Sequence, residues 1–218
     1  MTEHTTMNTE QIWRAVAAER AGLAELLARL PEEDWDRPSL CAGWRVREVV
    51  AHVVLSARAD IGWILVNLIR ARGSLHRAIR DTAVRHAERR TTGQLLGELR
   101  DSIDARVTVI GTTPADRLMD LLVHGQDIAL PLGISRQMPG PAARTAIDRI
   151  WTTGAPFHAR RRFAGYRLVA SDIDWAAGEG AVITGPIAAL LLVVTGRREG
   201  WDRLTGDGAA SAAEHDRV

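Results

Sequence analysis

The chain has 218 residues, enough for one large domain, or for a domain of about 150 residues with a small companion. Its 28 basic residues, all arginine, nearly balance 27 acidic ones, which argues against a broad nucleic-acid footprint or a strong preference for anionic membranes. The single cysteine, Cys41, excludes an internal disulfide and a cysteine-rich zinc site, and is compatible with a reducing cytosol.

The first residues, MTEHTTMNTEQ, lack the apolar core of a secretory signal. The longest aliphatic run, IAALLLVV, is far shorter than the roughly 20 residues of a membrane-spanning helix. These features predict a soluble, cytoplasmic protein with neither a membrane nor a nucleic acid as partner. The abundance of arginine and alanine matches the residue usage of high-GC bacterial genomes, which is an association and not physics.

Along the chain, Ile12, Val16, Leu23, Leu26, Leu27 and Leu30 recur near a 3.6 period and predict a first helix over 9–30, ended by Pro31. A polar loop, PEEDWDRPSLCAGW, follows. From Val46 the pattern resumes through Val49, Val50, Val53, Val54, Ile61, Ile64, Leu65 and Leu68, predicting a long second helix interrupted at Gly73. Residues 74–90 are charged and weakly amphipathic, whereas Leu95, Leu96, Leu99, Ile103 and Val107 predict a helix over 93–110. Another helix is expected to start near Pro114, a residue favoured in a first turn, and to end by Pro131 and Gly133. A short helix over 141–153 is expected to close this part.

After residue 160 the pattern changes. YRLVASDIDW alternates as a strand does, and GEGAVITGP supplies a second strand between glycine-rich turns. The run from Pro186 to Val194 is expected to be a helix packed on that hairpin and stopped by Gly196. Arg160 to Arg162 read as a solvated joint between the two regions. The resulting organisation is a mainly α fold: a helical bundle over 1–155, a small α+β domain over 160–207, and a flexible tail over 208–218.

DLLVHGQDIA, residues 120–129, carries the chemistry. In a helix Asp120 and His124 stand at i and i+4 on an otherwise apolar face, a spacing from which a carboxylate and an imidazole converge on one point. Buried ionisable groups need partners, because an unpaired buried ion costs on the order of several kcal/mol. A third ligand from a facing helix would complete a metal site, as in bundle cores, and His52 in REVVAHVVLSA is the candidate. Two histidines and one carboxylate suit zinc, nickel or ferrous iron and leave a position open. The same pattern also fits a hydrogen-bonded core histidine with no metal. Glu48 repeats the i, i+4 spacing with His52, but reads better as a first-turn acid complementing the helix dipole. Asp127 is either a residue that orients a ligand or a solvated acid.

PSLCAGWRVREVVAHVV resembles the segment that opens the second helix in the mycothiol-dependent maleylpyruvate isomerase family, a branch of the DinB/YfiT-like four-helix bundles. DLLVHGQDIALPLG is similar to the later helix of that family, RLVASDIDWAAGEGAVITGPIAALLLVVTGR to its small C-terminal domain, and LTGDG to its closing motif. The resemblance implies that His52, Asp120 and His124 bind a divalent metal, zinc foremost, and that mycothiol is the thiol cosubstrate. It implies an actinobacterial enzyme whose thiolate adds to an activated double bond, allows rotation and leaves, or is transferred to a small electrophile. Arg197, in the TGR motif, resembles an arginine that holds a carboxylate bidentately; a helix C-terminal arginine satisfying the last carbonyls is the plainer reading. Arg45 departs from the usual Thr, which puts the start of the second helix in question. Cys41 matches the turn cysteine and reads as a small packing residue or a catalytic thiol. A hydrolase using metal-bound water, with Asp127 as base, and a non-catalytic metal-binding regulatory protein stay open as alternatives. A monomer or homodimer is expected.

Overall fold

The computed structural model describes residues 7–58, 75–109 and 111–216, and the chain divides into two compact units, Thr9–Arg136 and the residues from Gln137 onward. The fold is mainly helical with one small sheet.

In the first unit, α1 spans Thr9–Leu27 and buries Val16, Leu23 and Leu27 along one stripe. The polar loop after it contains a single 3-10 turn, Glu32–Asp36, that buries Trp35. Helix α2 begins at Val46 and is described to Ser56; Ile61, Ile64, Leu65 and Leu68, which extend its pattern, lie outside the described residues. Arg45 does not spoil its start. The Glu48 carboxylate accepts from the Arg45 backbone N–H at 2.6 Å and from its Nε at 3.0 Å, so the acid half of a capping box is kept and an ion pair replaces the missing hydroxyl.

Helix α3, Leu75–Glu88, is a full helix despite its charged sequence. Its buried stripe is Ala78, Thr82, Ala83 and Ala87, residues too small or too polar to register as a hydrophobic period. Helix α4, Thr92–Asp101, starts at a Thr91–Gln94 capping box and stops well before residue 110. The reason is Arg20 of α1. Its buried guanidinium Nη1 donates to the carbonyls of Ser102 at 2.8 Å and Ala105 at 2.7 Å, taking up backbone acceptors that further helix would have used. Helix α5, Pro114–Ala129, passes into a 3-10 turn, Leu130–Leu132, closed by Gly133 at φ 71°. Helices α1, α4, α2 and α5 pack in turn around one core, with α3 laid on α2.

The second unit begins with α6, Gly140–Thr152, which belongs here and not to the bundle. Its buried Ala143, Ala146, Ile147 and Ile150 face α8, Ile187–Val194, and its Asp148 accepts from Trp175 Nε1 at 2.7 Å. A short α7, Ala159–Arg162, stands where a solvated joint was expected; Arg162 Nη1 donates to the Val194 carbonyl at 3.1 Å and so satisfies the end of α8.

The sheet has three strands, not two. Strand β1, Tyr166–Ala170, lies between β2, Ala176–Gly178, antiparallel to it, and β3, Ala181–Gly185, parallel to it. Residues Ala176–Gly178 lack β-branched side chains, so nothing in their pattern marks a strand. To pass from one flank of β1 to the other the chain runs tight beneath its start. At Gly180, φ 118°, a Cβ would sit 2.0 Å from the Gly165 carbonyl oxygen, so only glycine fits. The final helix α9, Ala209–His215, corrects the expectation of a flexible tail: Trp201 Nε1 donates to Asp216 Oδ2 at 3.1 Å and Ala212 is buried, which pins the segment.

Candidate metal centre

The cluster is built entirely within the first unit. Helix α5 is amphipathic with its N-terminus set by Pro114 and the Thr113–Asp116 pair, and this start fixes which face carries Asp120 and His124. Across from it α2 presents His52 among Val49, Ala51 and Val53. His52 Nε2 lies 3.5 Å from Asp120 Oδ1, and His124 Nε2 lies 3.4 Å from the same oxygen. The two imidazoles meet edge to face, centroids 4.8 Å apart, and Trp44 packs on His52 at 5.6 Å. One donor atom from each of the three residues lies within 4.8 Å of the other two.

These distances have a chemical meaning. They exceed a good N–H···O hydrogen bond of about 2.9 Å. Donor atoms around a tetrahedral ion with bonds of about 2.1 Å sit about 3.4 Å apart, which matches the distance of each imidazole nitrogen from Asp120 Oδ1. The donor set therefore fits a divalent cation with room for a further ligand.

The other nitrogen of His124 has different company. Its Nδ1 is 2.8 Å from Asp127 Oδ2, a true hydrogen bond, and the Cys41 thiol donates to the same oxygen at 3.0 Å. Asp127 is fully buried, not a solvated acid. Cys41 is held by a tight turn in which Trp44 N–H donates to the Cys41 carbonyl at 2.9 Å and Gly43 takes φ 74°, the conformation a type II turn requires at its third residue. The turn is tied to α5 through Leu40 N–H, which donates to the Asp127 carbonyl at 3.0 Å. Cys41, His124 and Asp127 form a second group that could hold an ion, but its 2.8 Å contact marks a hydrogen-bonded pair and not two co-ligands.

Electrostatics follow the geometry. Burial would raise the Asp120 carboxyl, yet His52 and His124 beside it hold it well below the usual carboxylate range. Burial would lower the His124 imidazole, but the Asp120 charge and the hydrogen bonds of Asp120, Asp127 and Cys41 hold it well above its ordinary value. Sequence reasoning missed Arg20, whose guanidinium is lowered to about 10, by burial first and by Arg117 beside it, with Asp120 opposing. An arginine in the middle of an amphipathic helix carries no signal that it points inward.

Arg197, the remaining sequence candidate, lies in the second unit, where its Nη1 donates to the Thr195 carbonyl at 2.8 Å just beyond the end of α8. That contact is the one a helix C-terminal arginine makes.

A helical bundle with a histidine and carboxylate cluster between facing helices, followed by a small α+β unit, defines the class. The chain belongs to the mycothiol maleylpyruvate isomerase N-terminal domain family, whose model matches residues 16–129. Two solved structures share the fold across both units. A crystal structure of the mycothiol-dependent maleylpyruvate isomerase is 17% identical, with a TM-score of 0.67 over 96% of this chain and 97% of that one. A mutant of that isomerase, with one histidine replaced by alanine, gives 16% identity and a TM-score of 0.68 over the same shares, 96% and 97%. No curated protein matches by sequence. Among the described residues no helix is long and apolar enough to cross a membrane.

Proposed function

We propose that this protein is a divalent-metal-dependent enzyme that uses mycothiol to isomerise, or transfer sulfur to, a small electrophile. The observation that carries the reading is the distance of His52 Nε2 and His124 Nε2 from Asp120 Oδ1, 3.5 and 3.4 Å, longer than a good hydrogen bond and suited to co-ligands. Family membership supports the thiol and the reaction class. The mixed nitrogen and oxygen donors favour zinc, with nickel or ferrous iron as neighbours in preference. A low-molecular-weight thiol as cosubstrate fits a reducing compartment, and the cytoplasm is the proposed location.

An ion in this position would stabilise a bound thiol as thiolate at neutral pH. The chain's own groups do the rest. Asp120 presents its charge between two imidazoles, Asp127 keeps the far nitrogen of His124 occupied, and Trp44 shields the His52 face. The hydrolase alternative needs a base at the ion. Asp127, its candidate, is buried on the other side of the His124 ring, which weighs against that reading. Arg197 is retained as the group that would clamp a substrate carboxylate with its bidentate fork.

The test is to load the protein with zinc and assay it with mycothiol against maleylpyruvate and a panel of other electrophiles. Thiol-dependent turnover is expected; hydrolysis that ignores the thiol would refute the reading. His124→Ala should abolish stoichiometric zinc uptake, and unaltered affinity in that variant would remove the site. Arg197→Lys is expected to keep zinc and fold yet lose much of its turnover on carboxylate substrates. Unaltered kinetics in that variant would exclude the clamp.

A further inference from the structure

Two hydrogen-bond donors from separate parts of the chain converge on one atom. Asp127 Oδ2 lies 2.8 Å from His124 Nδ1 and accepts from Cys41 Sγ at 3.0 Å, while Cys41 Sγ and His124 Nδ1 are 3.6 Å apart. The carboxylate has no solvent exposure. An ionised carboxylate can only accept, so the contact requires a proton on Nδ1 and directs the lone pair of neutral His124 to Nε2, the nitrogen that faces Asp120 and His52.

We propose that Asp127 is a positioning residue for the centre, setting the tautomer and ring angle of His124, and that the Cys41 thiol is the second donor to Asp127 and neither a metal ligand nor a nucleophile. This rests on the metal reading above. The spacing of Asp127 three residues after His124 places both on one face of α5, and the Leu40–Asp127 backbone bond holds the Cys41 turn against it. A thiolate at Cys41 would put a second anion 3.0 Å from the fully buried Asp127 carboxylate with one proton fewer to share, an arrangement of high electrostatic cost. The Cys-x-Gly-Trp turn then has a role: its Gly43 conformation delivers the S–H to Asp127, and the same turn supplies Trp44 to His52.

Zinc and cobalt titrations of the wild type, Asp127→Leu, Asp127→Asn and Cys41→Ser test the proposal, with the cobalt spectrum and the imidazole nitrogen shifts of His124 as readouts. Removing the acceptor with leucine is expected to weaken metal affinity about 10- to 100-fold. Asparagine, whose amide oxygen still accepts from Nδ1–H, is expected to recover part of that loss, and serine at Cys41 to keep wild-type affinity. Wild-type cobalt protein should show no thiolate-to-metal charge-transfer band. A leucine variant that binds as tightly as wild type overturns the role of Asp127; a charge-transfer band abolished by Cys41→Ser overturns that of Cys41. Should the leucine variant fail to fold, the nitrogen shifts of the wild type decide, since a proton on Nε2 of neutral His124 contradicts the proposal. Absence of stoichiometric metal in the wild type instead sinks the metal reading, and the tautomer still reports on Asp127 in that same sample.

Discussion

His124 shows how much a single side chain can be asked to do. One nitrogen looks toward Asp120 and His52, the other is bonded to a buried acid, and the ring is thereby denied any other orientation. Arg20 shows the opposite economy, one guanidinium nitrogen serving several backbone carbonyls. Replacing it with methionine, of similar length and no donors, leaves buried acceptors without partners at about 1–3 kcal/mol each. Arg20→Met is therefore expected to lower stability by about 3 kcal/mol, read as the fall in the urea midpoint at unchanged slope; a midpoint within error of wild type would contradict it. The ligand candidates were legible because i, i+4 spacing on a predicted helix restricts where two side chains point, and His52 sat on the facing helix of a resembling segment. Arg20 and the buried state of Asp127 were not, since an isolated polar residue reads the same whether it faces water or a partner distant in sequence.

Between elements, Glu98 of α4 joins two of the helices. Its carboxylate contacts His86 Nε2 of α3 at 2.6 Å and accepts from Arg90 Nε, just beyond α3, at 2.9 Å. Burial raises this acid, but the hydrogen bonds of Arg90 and His86 prevail and leave it below its ordinary value of 4.5. A carboxyl depressed in the folded state contributes stability above the unfolded value, lost as the pH falls through the folded one. Urea midpoints measured from about pH 7 to about pH 3 should thus fall less steeply for Glu98→Gln than for wild type, with the variant less stable at neutral pH. Parallel curves would exclude the linkage. Helix starts were readable from Pro114 and from the Thr91–Gln94 box, which act locally. The end of α4 was not, because the residue that takes its carbonyls comes from α1.

At the scale of the molecule, the division at residues 136 and 137 was placed later by the sequence pattern, near 155. Helix α6 is amphipathic wherever it docks, and only its long-range partners α8 and Trp175 assign it to the second unit. All three proposed ligands lie in Thr9–Arg136. Zinc at about 100 times its Kd adds about 2.7 kcal/mol to the unfolding free energy of whatever unfolds with the site. Hydrogen exchange with and without zinc should show that added protection across α1, α2, α4 and α5, with a smaller effect on α6, α8 and the sheet. Equal protection of both units would mean that they unfold as one.

The path of the chain under β1 also has a kinetic consequence. Parallel neighbours ordinarily require a crossover of a dozen or more residues, but here β2 itself serves as the crossover, and the pairings among the three strands all fall between Tyr166 and Gly185, with one further bridge from Thr184 to Thr205. The central strand is made first and both flanks follow directly. Contacts so close in sequence close quickly, so as the ribosome extrudes this stretch the sheet can zip shut before α9 has been synthesised, giving the late-emerging helices a formed surface on which to dock.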